Sequence, residues 1–362
     1  MNLKGKALSL AYGKWTRPSS FEEGYTVLLP SPMDMPFLLR FALEGLARLD
    51  TTHCREIVVA PDATLPDDRA LRTVVADMGD PRVKLVRPRA LDRFVAGRVF
   101  RGNGSALHWL AIVLGTTHAR CGHIFLHDAD AFFSDAGGLE RQYQECAGRG
   151  MDTLGVTARW DPALRQIGYA LPGTWEMMYS HRWVRKHAPA DLKGRWVNTP
   201  HGPMLFDTML YPQYLDYPGG RVGSMAQPPA FVHFHGTIVT YRVFKERARG
   251  PVVDELFRLL LLAILQELIP GGDGPGELPC VDELAAGLTD SKARVRYDTP
   301  GAAREYPNFR AQLEALCLAP IFEGPRAERV RQLVAPFDEH FADPALAQAA
   351  SGPLRFREHG LG

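Results

Sequence analysis

The stretch HIFLHDADAFF (His123–Phe133) decides the fold class of this chain and contains its first candidate site. Its apolar residues predict a buried strand, and two carboxylates, those of Asp128 and Asp130, lie within it. Upstream, three more short apolar runs predict strands, and helical spacing of apolar residues predicts helices between them. The predicted strands are Tyr25–Pro30, Glu56–Pro61 and Val83–Pro88, and the predicted helices are 35–49, 67–78 and 105–120.

This alternation of strands and helices predicts an α/β fold with a mostly parallel sheet flanked by helices. Ligands of such sheets bind at the carboxyl ends of the strands, where the strand order reverses. Pro30-Ser31, Asp62 and the acidic pair all lie at or near predicted strand ends, so we expect a ligand there. No GxGxxG or GxxxxGK[ST] element follows the first strand, which disfavours a classical dinucleotide-binding or P-loop protein.

Changes in composition along the chain predict three parts. Residues 1–21 form an N-terminal arm, residues 22–250 a catalytic domain and residues 251–362 a helical C-terminal extension. Within the catalytic domain, residues 22–135 form the first half. Residues 136–250 form the second half, and residues 151–250 within it are richer in aromatics, prolines and histidines and less periodic, which predicts substrate-binding loops. The apolar run Leu256–Ile269 is interrupted by charges and too short to span a bilayer, so it predicts a packing helix or, alternatively, a membrane-surface or homodimer contact.

Charge and cysteine content narrow the class of protein. The chain has 42 basic and 41 acidic residues among 362, a balance that gives no reason to expect a nucleic-acid partner. Its 5 cysteines are scattered without a CxxC pair, which favours reduced thiols and a cytoplasmic location. Neither a signal peptide nor a transmembrane segment is predicted.

The acidic pair predicts a metal site. Two carboxylates beside a buried strand are costly unless a positive charge compensates them. At alternate positions of an extended chain, Asp128 and Asp130 project to the same side and can approach one cation, Mn²⁺ or Mg²⁺. Such an ion neutralises the charge that develops on a diphosphate leaving group. The alternative is that both carboxylates cap the next turn or pair with arginines.

Together these motifs resemble those of the GT-A family of nucleotide-sugar glycosyltransferases, in which a DxD motif follows a hydrophobic strand. The resemblance covers about Tyr25 to Tyr241 and includes LLPSP, APD and GNGSALHWLAIVLG before HIFLHDAD. It implies a GT-A (Rossmann-like) fold, with residues 22–135 as the nucleotide-binding half and residues 136–250 as the acceptor-binding half. It also implies a nucleoside diphosphate sugar donor of the UDP or GDP type and a small-molecule or glycan acceptor.

The resemblance further assigns roles to single residues. It puts Pro30 and Ser31 beneath the nucleotide and Asp62 against the base or ribose of the donor. It puts Asp128 near the ribose and the metal, and it makes Asp130 the direct metal ligand. For Asp62 alone, a turn-forming role is an equally good explanation.

A second motif, FVHFHG (231–236), is similar to the HFxG element of glycogenin-like transferases. That similarity implies His233 as the third metal ligand, with His235 as the other option. Downstream, Thr-Ile-Val-Thr-Tyr replaces the Lys-Pro-Trp of that family, so the sequence leaves open whether the enzyme inverts or retains configuration.

An inverting transferase needs a carboxylate that takes the proton from the acceptor hydroxyl. Asp207 in HGPMLFDT is the first candidate, and Glu176, beside the possible sugar-stacking Trp175, is the second; Asp161 is a third. Arg182, Arg185 and Lys186 are further candidates for contacts with donor phosphates or an acidic acceptor, and a solvated surface is the other interpretation. Two other classes remain open: a sugar-phosphate nucleotidyltransferase, which normally has a Gly-rich basic loop after the first strand, and a non-catalytic nucleotide- or sugar-binding protein.

Overall fold

A computed structural model describes most of the chain, which divides into two compact units. The described residues are 8, 11–15, 20–101, 103–157, 164, 167–225, 230–246, 256–269, 278–290, 292–295, 297, 299–343 and 346. The first unit comprises Met1–His235 with Ala319–Ile321, and the second comprises Gly236–Leu318 and Phe322–Gly362. The boundary at residue 250, which we expect for the catalytic domain from the sequence, stays a prediction.

Strands and helices alternate through the first part of the first unit. The strands are β1 (Glu22–Ser31), β2 (Cys54–Pro61), β3 (Val83–Leu85), β4 (Cys121–His127), β5 (Ala131–Phe133), β6 (Thr153–Thr157), β7 (Pro172–Ser180), β8 (Arg195–Thr199), β9 (Gly202–Phe206), β10 (Val222–Ser224) and β11 (Phe231–His233). The helices are α1 (Pro36–Leu46), α2 (Arg69–Met78), α3 (Ala90–Phe94, which continues as a π-helical turn), α4 (Gly104–His118), α5 (Gly138–Gly148), α6 (His181–Val184) and α7 (Leu210–Asp216).

Seven of these strands form one sheet in the order β10-β6-β7-β4-β1-β2-β3. Strands β1 to β4 run parallel, β10 runs parallel to β6, and β7 runs antiparallel to both of its neighbours. The predicted α/β class, a mostly parallel sheet with flanking helices, is confirmed. Because the strand order reverses between β1 and β4, the loops that follow these two strands border one crevice.

Helix α4 holds this part of the sheet in place. Trp109 and Ile112 on its inner face are fully buried in one cluster with Leu28 of β1 and Val58 of β2. Gly115 allows the close approach, because a Cβ at this position would overlap the Leu28 side chain. The packing places the first turn of α4 at the carboxyl ends of β1 and β4.

The predicted strand His123–Phe133 is in fact two strands. β4 ends at His127, and the chain turns at Asp128–Asp130, where the Ala131 amide donates to the Asp128 carbonyl at 3.1 Å. β5 then leaves the large sheet and pairs antiparallel with β11. The prediction of one extended strand was wrong because a continuous apolar pattern does not reveal a tight turn within it.

The region predicted to consist of irregular loops contains the second half of the large sheet. β7 is a nine-residue strand between β4 and β6, and its Trp175 and Tyr179 are buried. A strand covered on both faces shows no apolar–polar alternation, so its sequence resembled that of a loop. Trp183, also in this region, belongs to the core, whereas Asp161 lies outside the described residues.

The second unit is helical, as predicted for the C-terminal region. Its helices are α8 (Thr237–Glu246), α9 (Leu256–Glu267), α10 (Val281–Ala286), α11 (Thr299–Cys317) and α12 (Pro325–Phe341). Helix α9 coincides with the apolar run and is buried on most of its surface, as expected for a packing helix. None of the helices in the described ranges combines the length and apolar character that crossing a membrane requires.

One buried carboxylate connects all four parallel strands β1 to β4. Glu56 of β2 has no exposed surface and accepts from the Thr26 hydroxyl of β1 at 2.8 Å. Lys84 of β3 donates to it at 2.9 Å, and Arg120, which directly precedes β4, donates through its backbone amide at 2.6 Å and its side chain at 3.1 Å. Burial alone would raise the pKa of Glu56, but these four donors outweigh it and lower the pKa below the ordinary value.

We predict that Glu56→Gln lowers the free energy of unfolding at pH 7 by roughly 3 kcal/mol, because two cations lose a buried partner. A carboxylate with a lowered pKa adds to the free energy of unfolding at any pH above its unfolded pKa, about 4.3. This stabilisation is lost as the pH falls through the folded pKa. Urea denaturation between pH 7 and 3 should therefore show the two proteins converging in acid.

The control is Glu22→Gln, which removes a half-exposed carboxylate that pairs with the same Arg120 at 3.1 Å. Its effect should stay below about 1 kcal/mol. Equal losses in the two variants would contradict a special role for Glu56.

Candidate metal centre and active site

The turn after β4 brings two carboxylates towards one imidazole. Asp130 is buried, and the side chain of Asp128 is 22% exposed. The Nε2 atom of His233 lies 3.4 Å from the Asp130 Oδ1 atom and 3.8 Å from the Asp128 Oδ2 atom. The two aspartates thus face the same point, although a turn rather than an extended chain arranges them.

The short antiparallel pair β5–β11 delivers His233 to this point. His233 lies opposite Ala131 in the register, directly beside Asp130, and the Phe234 amide donates to the Asp130 carbonyl at 3.5 Å. The strand β11 ends at His233, so His235 lies in the turn that follows this strand. The ring of His235 nevertheless lies 4.1 Å from that of His233, centroid to centroid.

The residues present fit a divalent cation. One ligand atom from each of Asp128, Asp130 and His233 lies within 4.8 Å of the other two. Metal–ligand bonds of about 2.1 Å at octahedral angles separate the ligand atoms by roughly 3 to 4.3 Å, which matches these distances. With Nε2 facing the carboxylates, the Nδ1 atom of His233 is buried without a hydrogen-bond partner in the described structure. Mixed carboxylate and imidazole ligands suit Mn²⁺ better than Mg²⁺.

His108 is a site residue that the sequence analysis missed. It lies in the second turn of α4, and its Nε2 atom is 3.1 Å from the Asp128 Oδ1 atom. The sequence does contain a signal for His108. A helix that leads into β4 through a short loop begins at the carboxyl end of that strand. A histidine near the start of such a helix faces the residues that follow the strand.

The histidines and carboxylates of the site shift one another's pKa values. Burial acts to raise the pKa of Asp128, but the charges of His108 and His233 outweigh it and lower this pKa. Burial acts to lower the pKa of both histidines, but Asp128 raises that of His108, and Asp130 and Asp128 raise that of His233. A divalent cation would supply positive charge to the same acidic pair.

Asp207, the first candidate base, lies next to the same helix. It directly follows β9, is half-buried, and accepts from the Ser105 hydroxyl at 3.0 Å and from the Thr208 amide at 2.7 Å. Ser105 lies one helical turn before His108, so α4 contacts both Asp207 and Asp128. Met209, two residues later, has a φ of 63°, a strained conformation of the kind that clusters at functional sites.

Glu176, the second candidate base, is buried inside the sheet. It has no exposed surface, and its Oε2 atom lies 3.2 Å from the Nδ1 atom of His127, which is opposite it on β4. Burial, and then the nearby Asp128 charge, raise the pKa of Glu176 well above its ordinary value, and burial lowers that of His127 to about 4. Because Glu176 and its partner His127 are buried inside the sheet, Asp207 is the better candidate for the base that contacts an acceptor.

The residues expected beneath the nucleotide lie at the ends of β1 and β2. Pro30 and Ser31 close β1 and are buried, and the Ser31 hydroxyl donates to the Leu29 carbonyl at 3.1 Å. Asp62 follows β2 and accepts from the Met33 amide at 3.4 Å and from the Thr64 hydroxyl at 2.7 Å. Asp62 therefore holds together the two loops that border the crevice, in addition to forming a turn.

Trp175 supports the histidine of the site. Its ring stacks on that of His233, with centroids 5.6 Å apart and planes at 23°, and its carbonyl accepts from the Asp128 amide at 3.1 Å. Gly173 makes room for this ring, since a Cβ at position 173 would collide with it. The structure shows Trp175 packed against His233, where the sequence analysis considered it for sugar stacking.

The basic segment 182–186 lies at the wrong end of the sheet for donor phosphates. β7 runs antiparallel to β4, with Ser180 opposite His123 and Glu176 opposite His127. The arginines that follow Ser180 are therefore at the amino end of β4, one strand length from the acidic turn. The exposed side chains of Arg182 and Lys186 fit the other interpretation of this segment, a solvated surface.

We predict that Gly173→Ala lowers the Mn²⁺ affinity of the protein about tenfold, the effect typical of losing a group that orients a metal ligand. The added methyl group displaces the Trp175 ring and with it the His233 imidazole. Electron paramagnetic resonance of free Mn²⁺ during titration measures the affinity without nucleotide or turnover.

Gly223→Ala on β10 is the matched control, because its Cβ would make only an ordinary contact with Met151 at 3.4 Å. It should bind Mn²⁺ as the wild type does. A wild-type affinity in the Gly173 variant would show that Trp175 does not position His233.

Comparison with models of known protein families finds no match for this chain, and comparison with curated proteins finds none either. Solved structures do match it. A mannosyltransferase from Pyrobaculum calidifontis, in complex with GDP-Man and Mn²⁺, is 16% identical with a TM-score of 0.40, over 96% of this chain and 93% of that one.

Two further solved structures are similar to this chain at comparably low sequence identity. Glucosyl-3-phosphoglycerate synthase from Mycobacterium tuberculosis, in complex with Mn²⁺, UDP and glucosyl-3-phosphoglycerate, is 12% identical with a TM-score of 0.38, over 64% of this chain and 86% of that one. TarS from S. aureus, in complex with UDP-GlcNAc, is 15% identical with a TM-score of 0.39, over 90% of this chain and 89% of that one. Similarities this low do not transfer an activity. The structure contains the two aspartates of the DxD motif, on which the resemblance to GT-A transferases rests. They lie beside the crevice where we expect them from the sequence.

Proposed function

We propose that the protein is a metal-dependent glycosyltransferase that moves a sugar, a hexose in the simplest case, from a nucleoside diphosphate to an acceptor hydroxyl. The observation that carries the proposal is the convergence of Asp128, Asp130 and His233 within 4.8 Å of one another. They converge beside the crevice where the strand order reverses, the position at which sheets of this kind bind nucleotides.

The residues around this point supply the parts that a sugar transfer needs. Asp128, Asp130 and His233 would hold Mn²⁺ or Mg²⁺, which neutralises charge on the leaving diphosphate when it is bound. Asp62 fixes the loops after β1 and β2, between which a nucleoside would lie. Asp207 would accept the proton of the attacking hydroxyl in an inverting reaction, with Ser105 orienting its carboxylate.

Several finer points of the proposal rest on the sequence. The donor is expected to be of the UDP or GDP type and the acceptor a small molecule or a glycan. Mn²⁺ is the better fit to the imidazole ligand, and Mg²⁺ is the alternative. A cytoplasmic location and a homodimer formed through helices of residues 251–362 remain predictions.

We predict that Asp130→Asn abolishes the metal-dependent part of nucleotide binding and leaves the fold intact. The amide cannot replace the charge of a carboxylate that faces the cation and the diphosphate. Isothermal titration of UDP and GDP, each with and without Mn²⁺, measures the metal-dependent part, and the unfolding midpoint checks the fold.

Asp135→Asn is the control, since Asp135 pairs with Arg141 at the surface of the next loop. Unchanged Mn²⁺-dependent affinity in the Asp130 variant would remove Asp130 from the ligand set. No binding of either nucleotide to the wild-type protein, with any metal, would refute the transferase proposal itself. Binding without any sugar transfer would favour the non-catalytic class.

For Asp207→Asn we predict retained nucleotide binding and a loss of turnover of 10²-fold or more, a magnitude on the order of that typical for a general base. Release of nucleoside diphosphate from UDP- and GDP-hexoses, in the presence of Mn²⁺, gives the rate.

Asp77→Asn serves as its control, because Asp77, on helix α2, is a partly exposed partner of Arg40 outside the site. Ser105→Ala should lower turnover by a smaller factor, since Asp207 keeps its bond to the Thr208 amide. A normal rate in the Asp207 variant would end its candidacy and fit a retaining enzyme.

A further inference from the structure

The hairpin β8–β9 has one buried face and one face in solvent. Along both strands buried or half-buried residues alternate with more exposed ones, as expected for a two-stranded sheet packed on one side. Val197, Met204 and Phe206 belong to an apolar cluster with Leu210 of α7. The outer face therefore consists of the residues between them: Trp196, Asn198, Pro203 and Leu205.

Trp196 dominates this outer face. Its side chain is 66% exposed, an unusual value for the largest apolar side chain. Leu205 lies directly opposite it in the register, and residues paired in this way project to the same face. The two side chains form a flat apolar surface, which Pro203 and the Asn198 amide extend.

This surface leads directly to the candidate active site. Leu205 is followed by Phe206, which ends β9, and then by Asp207, which bonds to Ser105 of α4. A cross-strand step of about 5 Å and two residues of strand at about 3.3 Å each place the Trp196 backbone roughly 10 Å from that of Asp207. An acceptor with one or more sugar rings covers such a span.

The charge on the hairpin favours a neutral ligand. Arg195 is its one formal charge between Gly194 and Phe206, apart from the titratable His201. The Arg195 guanidinium stacks on Tyr211 at 4.5 Å and pairs with Asp191 at 3.2 Å, so it is engaged on the inner side. The outer face thus offers an indole ring and an amide but no formal charge.

We propose that Trp196, with Leu205 and Asn198, forms the acceptor subsite of this protein and that it binds a neutral sugar ring. The inference rests on the proposed function, because it takes Asp207 as the group that meets the acceptor hydroxyl. An indole face packs against the C–H groups of a pyranose ring, and the Asn198 amide can donate to and accept from its hydroxyls. The subsite determines which acceptor is used and has no role in holding the donor.

Another exposed apolar surface of the first unit provides a comparison. Phe94 is 60% exposed and Leu91 is 42% exposed, both on α3. No strand leads from these residues to Asp207 or the acidic turn. Phe94→Ala is therefore a matched control for the loss of an exposed aromatic side chain.

The test measures glycan binding and nucleotide binding separately. Wild-type protein and the variants Trp196→Ala, Trp196→Phe and Phe94→Ala are applied to an array of neutral, amino and acidic glycans, and the affinity for the best neutral glycan is then measured by titration. We expect Trp196→Ala to lose at least tenfold in this affinity, Trp196→Phe to retain part of it, and Phe94→Ala to match the wild type. Affinity for UDP or GDP with Mn²⁺ should be equal in all four proteins.

Three outcomes would overturn the subsite. The first is that the wild-type protein binds no neutral glycan, and the second is that Trp196→Ala binds the glycan with unchanged affinity. The third is that light scattering shows a wild-type dimer that becomes a monomer in Trp196→Ala. The last outcome would mean that this face pairs two copies of the chain. Glycan binding that depends on Trp196 in a protein without nucleotide binding would instead support the subsite and refute the transferase proposal.

Discussion

The pairing of β5 with β11 is the constraint on which the candidate site depends. Asp130 and His233 are far apart in the sequence, and three residues of antiparallel strand on each side bring them together. The turn at Asp128–Asp130 makes this pairing possible, because it takes the chain out of the large sheet directly after β4. A β4 that continued straight would have left His233 without a partner strand at the carboxyl edge.

Electrostatics explains why these elements must meet. The two carboxylates at the end of β4 are largely withdrawn from water, and a lone buried charge is strongly disfavoured. Histidines from two directions face them, His108 from α4 and His233 from β11. The histidines face the charge of the acidic turn, and in the proposed metal complex His233 would be the third ligand beside the aspartates.

The second half of the sheet supports this arrangement and leads to the candidate base. β7 supplies the Trp175 ring behind His233 and the carbonyl that binds the Asp128 amide. Asp207 directly follows β9 and bonds to Ser105 of α4, one helical turn before His108, which contacts Asp128. The metal centre, the candidate base and the outer face of the hairpin thus form one continuous series of contacts within the first unit.

The sequence by itself determined the α/β class, strands β1 to β4 and the position of the acidic pair, because apolar runs and strand-end carboxylates are local signals. The resemblance of its motifs added His233 as a candidate ligand. Only the tertiary structure decided that the acidic pair lies in a turn, that His108 faces it and that Trp175 packs on His233. It also revealed β7 and separated Asp207, near the site, from the buried Glu176. These features arise from contacts between distant segments, and a fully buried strand or a tight turn leaves no periodic pattern in the chain.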